Sequence, residues 1–189
     1  MIDENAFGAL IQYATIARDE YLLPRAEFVE HFTRFRDVTL AYVREQPPGR
    51  PLQATDFGHA IYVEFCEEDR VEDPLVWLRT LRVRLLEAGL ESVGVVTHGG
   101  RWVLDDERVV HGRVESSGEL TLLRVSAPSE PLERALLAAA AACGDDDGDG
   151  GWGPGLYLDT EALEALGRSA KNAPTVLAIA GATFYRAGS

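Results

Sequence analysis

The residues whose spacing most resembles working chemistry are Asp145, Asp147 and Asp149, followed by Gly150. Counted from Asp145, carboxylates fall at positions one, three and five and glycine at six, the order of the first half of a calcium-binding loop. The second half departs from it. Position twelve is Leu156, where a bidentate glutamate belongs, and position eight is Trp152. The segment reads as a solvated acidic loop, with a calcium site completed by Asp159 or a backbone carbonyl as the alternative. Calcium apart, the sequence implies no cofactor.

Other constellations are less complete, and no catalytic residue emerges from them. There is no G-x-S-x-G elbow. Cys66 lies in Glu64-Phe65-Cys66-Glu67-Glu68, an anionic setting that opposes thiolate formation. His31, His59, His98 and His111 share no i,i+4 spacing, and only His98 with His111 would meet, on neighbouring strands. Gly148–Gly155 lacks the lysine of a phosphate loop, and its aspartates repel phosphate.

Charge separates the function classes further. With 31 acidic and 18 basic residues the net charge is −13. Nucleic acid is excluded as a partner because phosphate needs a basic footprint, and anionic membrane surfaces are disfavoured for the same reason. Seventeen of the basic residues are arginine, the better fork for a carboxylate, so internal Arg–carboxylate pairs are expected. The first 50 residues contribute only −2 (eight acidic, six basic), and the excess gathers later in the chain. Glu67, Glu68, Asp69, Glu72 and Asp73 form one cluster; Asp105, Asp106 and Glu107 form another. Together with Trp152, an aromatic framed by glycines, they suggest an acidic module that binds a basic protein partner, as an immunity or antitoxin-type neutraliser or a regulatory adaptor does. Solubility alone accounts for the same charge. The alternative is a small enzyme or ligand-binding protein with a pocket between N-terminal helices and a sheet, drawing on His59, His98, Tyr62 and Glu64. Either is compatible with a homo-oligomer paired through an edge strand at 175–185. An acidic N-terminus, no apolar run of membrane-spanning length and two widely spaced cysteines favour the cytoplasm.

The elements that must position these residues follow from periodicity. Residues 4–18 fit an amphipathic helix through Phe7, Leu10, Ile11, Ala14 and Ile16, and a second helix runs from Pro24 to Arg44 on Phe28, Phe32, Phe35, Val38 and Tyr42. The proline-rich 46–51 segment divides an N-terminal helical segment, 1–46, from an α/β sheet domain, 52–189, on which the helical segment is expected to pack as one compact unit. Residues 58–66 alternate as a strand, Asp73-Pro74 starts a helix that ends at Gly89, and Gly99-Gly100 marks a hairpin turn. A second hairpin spans 108–125, an alanine-rich helix 131–142, a short strand 156–158, a helix 160–168 and a final strand or strand pair 175–185. The expected fold is α+β: a mixed, largely antiparallel sheet, split βαβ-like, with helices on one face and an N-terminal helical pair before it.

Overall fold

A computed structural model describes residues 2–45, 49–70, 73–103, 130–144, 153–168, 175–179 and 181–187. In chain order they form β1 (Ile2–Tyr13), α1 (Ile16–Leu22), α2 (Arg25–Glu45), β2 (Gly49–Asp56), β3 (Ala60–Arg70), α3 (Pro74–Glu87) and β4 (Ser92–Val103). Then come α4 (Glu130–Gly144), β5 (Leu156–Asp159), α5 (Thr160–Ala165), β6 (Thr175–Ile179) and β7 (Ala182–Arg186). The strands make one sheet in the order β2-β3-β1-β4-β5-β7-β6. Neighbours are antiparallel except β4 and β5. The mixed, largely antiparallel α+β sheet is therefore what this chain forms. Its first half is a complete split βαβ unit, β1–α–β2–β3–α3–β4, with β1 and β3 at its centre.

The N-terminal stretch corrects the expectation of a helix over 4–18. Ile2–Tyr13 is instead the middle strand, bonded to β3 on one edge and to β4 on the other. Phe7, Ala9, Ile11 and Tyr13 pack with Phe35, Tyr42 and Trp77 of α2 and α3, whereas Leu10 and Ala14 pack on the opposite face with alanines of α4. A strand buried on both faces has no polar residues to alternate, so its apolar run also satisfies a helical template. Helices accordingly cover both faces of the sheet rather than one. The sheet takes strands from both sides of the proline-rich segment. β2 starts at Gly49, and as an edge strand it tolerates Pro51 with a register shift on either side.

Gly99-Gly100 is not a turn. β4 runs straight through it, with Gly99 opposite Ala6 and Gly100 opposite Asn5. Glycine serves close packing there: a Cβ on Gly99 would lie 3.2 Å from Pro131 and 3.4 Å from the Arg134 guanidinium. The helix that presses on this face, α4, offers Ala135, Ala138, Ala139 and Ala142 at i, i+3, i+4 and i+7, and small side chains let its axis sit near the sheet. Gly8 has the same role on β1, where a Cβ would come 2.1 Å from the Tyr62 hydroxyl.

Gly8→Ala should therefore destabilise the protein by about 1–3 kcal/mol through overpacking. Thermal unfolding measures this, and the loss should shrink in a Tyr62→Leu background; equal losses in both backgrounds would disprove the contact.

Candidate functional site

On the α4 side, the register lines up four residues across the sheet. Glu64 of β3 faces Gly8 of β1, Gly8 faces Thr97 of β4, and Asp159 of β5 follows Leu158, the partner of Val96. Asp159 is the most deeply placed carboxylate in this row. It caps α5, Oδ1 accepting from the Ala162 amide at 2.7 Å, while Oδ2 accepts from Arg134 Nε at 3.0 Å and Nη2 at 2.8 Å. Arg134 also donates to the His98 carbonyl and, at 2.9 Å, to Glu130. Thr97 donates to the Pro131 carbonyl at 3.0 Å, so β4 holds the first turn of α4 at two points.

Burial pushes the Asp159 carboxyl up to about 6, against the opposing pull of the Ala162 amide and Arg134. It is still ionised at neutral pH. Its side chain is 0% exposed and that of Arg134 11%, so each is the other's main compensation for leaving water.

A second polar network closes the opposite end of the sheet. The Tyr13 hydroxyl and the Thr15 hydroxyl both donate to Asp19 Oδ2, and Arg18 Nε donates to Oδ1 at 3.3 Å. His31 Nδ1 lies 3.4 Å from the Tyr13 hydroxyl. Burial works to raise the Asp19 carboxyl, but these bonds outweigh it and hold it below the usual range. Burial, and then the bond to Asp19, push Tyr13 up to about 12. Beside this network the Tyr13 amide donates to the His59 carbonyl, and Arg36 pairs with Asp56, whose other oxygen takes the Gly58 amide at 2.7 Å. The β2–β3 turn is thus tied both to α2 and to the end of β1.

The residues singled out in the sequence scatter across this frame. His98 packs against Phe7 on the α2/α3 side, ring centroids 4.6 Å apart and planes inclined by 51°, while Tyr62 belongs to the α4 side and Glu64, two residues on, shares its face. His59 stands five residues before Glu64, so the four do not converge. Glu67, Glu68 and Asp69 continue β3, which extends to Arg70, and are not part of a loop. Asp73 caps α3 through the Leu75 amide and pairs with Arg168 at 2.6 Å, so it is committed inside the fold. Glu72, Asp105, Asp106, Glu107, His111, Asp145, Asp147, Asp149 and Trp152 lie outside the described residues, as does the hairpin expected at 108–125. Arg134, Asp159, Tyr13 and Asp19 went unmarked by the sequence reading as an interacting set. Asp159-Thr160 ahead of a helix is a capping signal; nothing local marks Arg134.

The sequence matches no family model, and no curated protein gives a significant match. Solved structures do match. A bacterial light-regulated adenylyl cyclase aligns with a TM-score of 0.63 at 12% identity, over 97% of this chain and 52% of that one. The chain thus spans about half the length of that cyclase. The adenylyl cyclase CyaB from P. aeruginosa aligns over 100% of this chain and 95% of its own, with a TM-score of 0.55 at 11% identity. A class III adenylyl cyclase-like ATP-binding protein from Pseudomonas aeruginosa aligns over 90% of this chain and 36% of its own, with a TM-score of 0.58 at 12% identity. The fold is that of class III cyclase domains. This overturns the reading as an acidic protein-binding or immunity-type module: surface charge had suggested a partner, whereas the chain aligns over its length with the fold of class III cyclase domains. Among the described residues, no helix is long and apolar enough to cross a membrane.

Two outcomes test the buried pair. Because the folded carboxyl of Asp159 is raised from 3.8 to about 6, the folded state binds more protons than the unfolded one between those values, and stability falls as pH rises through that window. Denaturant titrations from pH 4 to 7 should show this component, and Asp159→Asn should remove it. Arg134→Met should cost about 3–5 kcal/mol at neutral pH, since it leaves a buried carboxylate uncompensated, and the loss should be smaller in an Asp159→Asn background.

Proposed function

We propose that this chain binds a purine nucleoside triphosphate on a cyclase-type scaffold. The observation that carries the proposal is the alignment of the entire chain with nearly the whole of a cyclase structure. The family resemblance of the backbone extends to a cyclase-like protein described as ATP-binding. An intracellular location, where such nucleotides are abundant, is part of the same reading.

Electrostatics favours one end of the sheet for an anionic ligand. Residues 16–45 carry five arginines against six carboxylates, a net of −1, so the rest of the chain carries −12 of the −13. A triphosphate meets little net repulsion beside α1 and α2, and the neighbouring α3, with Arg79, Arg82 and Arg84 against Glu87, is net +2. There the Arg18 side chain is 50% exposed, and the Arg36–Asp56 pair and the Asp19 network hold the neighbouring turn and strand end in place. A ligand site between the N-terminal helices and the sheet is the arrangement these features support. It is contributed by the α1–α2 helices, the end of β1 and the β2–β3 turn, rather than by His98 and Glu64 farther along the strands.

Isothermal titration with ATP and GTP should show saturable binding of one nucleotide per chain. Arg18→Glu should weaken it by about tenfold, equivalent to 1.4 kcal/mol, without lowering thermal stability by a comparable amount. Absence of saturable binding by either nucleotide would remove the proposal.

A further inference from the structure

We infer that this chain holds its nucleotide without a carboxylate-bound divalent ion and does not convert it to a cyclic product. The inference rests on the nucleotide-binding reading above. Cyclisation joins the ribose 3′ oxygen to the α-phosphorus, breaks the bond to pyrophosphate and sends the hydroxyl proton to a base. Sites that displace pyrophosphate stabilise the attacking and leaving oxygens with paired divalent ions about 3.5–4 Å apart. Magnesium in such sites sits about 2.0–2.1 Å from its oxygens and is held by protein carboxylates together with the phosphates. The donor set is therefore a question this chain's own residues answer.

Each buried or half-buried aspartate among the described residues is already engaged by an arginine and a second donor. Asp19 is held by Arg18, Tyr13 and Thr15. Asp56 is held by Arg36 and the Gly58 amide, Asp73 by Arg168 and the Leu75 amide, and Asp159 by Arg134 and the Ala162 amide. Recruiting any one of them to an ion would strand a guanidinium and undo a helix cap, a turn or a strand end. The remaining buried carboxylate, Glu64, shares its cross-sheet row with Asp159, but β1 and β4 lie between them. At about 4.8 Å per strand their backbones are roughly 14 Å apart. Between them residues 7–12 of β1 place Gly8, Leu10 and Gln12 on the α4 side and Phe7, Ala9 and Ile11 on the other, and none of these is a carboxylate. No group of three or more His, Cys, Asp or Glu gathers among the described residues. Paired ions do not fit this donor set.

The test titrates the whole protein with ATP and with GTP, once in excess magnesium and once in excess EDTA, and assays the same mixtures, with magnesium or manganese, for cyclic nucleotide by mass spectrometry. The expected result is saturable binding in both buffers, with dissociation constants within about tenfold of each other, and no cyclic AMP or cyclic GMP. Binding that weakens by more than this in EDTA, or a cyclic product at any metal concentration, overturns the inference while leaving nucleotide binding intact. Failure to bind in either buffer overturns the nucleotide-binding reading itself, and this inference with it.

Discussion

The structure depends on one strand having no free surface. Over Ala6–Gln12, β1 is paired along both edges and covered on both faces, by α2 and α3 on one side and by α4 on the other. Such a strand can carry neither charge nor bulk without consequence for its neighbours. Its α4 face is kept small by Gly8 under the Tyr62 ring, and its opposite face supplies Phe7, Ala9, Ile11 and Tyr13 to the larger core. Everything polar that the sheet needs must be provided at the ends of β1 or on the strands beside it. The Asp19 network and the Arg134–Asp159 pair occupy those places.

Those two networks also account for part of the protein's unusual arginine usage. A strongly acidic chain with a single lysine places arginine against Asp19, Asp56, Asp73 and Asp159, the inward aspartates among the described residues, and each also receives a backbone amide or a hydroxyl. The planar guanidinium suits this because it can serve a carboxylate and a carbonyl at once, as Arg134 does for Asp159 and His98. Asp73, read in one dimension as part of a binding surface, and Asp159, read as a possible completion of a calcium loop, are both mortar for helix starts. Net charge was therefore a poor guide to function.

Legibility in the sequence followed the strength of local signals. The β3 alternation of Ile61, Val63 and Phe65, the Asp73-Pro74 start of α3, the long apolar stripe of α2 and the alanine stripe of α4 are local patterns, and the structure contains each of them. β1 was misread because two-sided burial erases the alternation that marks a strand. Gly99-Gly100 was misread because a glycine required by a helix pressing from above looks, in sequence, like a glycine required by a turn. The Arg134–Asp159 pair joins residues 25 apart through packing that no short window contains. Cyclase-type topology was illegible for the same reason: it resides in strand order, and the identity to the matched structures, 12% for the light-regulated cyclase, leaves little side-chain trace of it.

The parallel seam between β4 and β5 has a kinetic consequence. β4 ends at Val103 and β5 begins at Leu156, so the chain must close a loop of more than fifty residues before the two can meet. Closure entropy grows with loop length, and non-local pairing slows folding accordingly. The β1–β4 unit can assemble through its own hairpin and helices first, leaving β5, β7 and β6 to dock afterwards. Among the described residues, the register pairs Gly94–Leu156, Val95–Tyr157 and Val96–Leu158, with the Gly94 amide donating to the Gly155 carbonyl, then join the halves along the backbone. The Arg134–Asp159 pair, reaching from α4 to the end of β5, acts as a latch across that seam: the late-folding half is the one whose release would open the sheet.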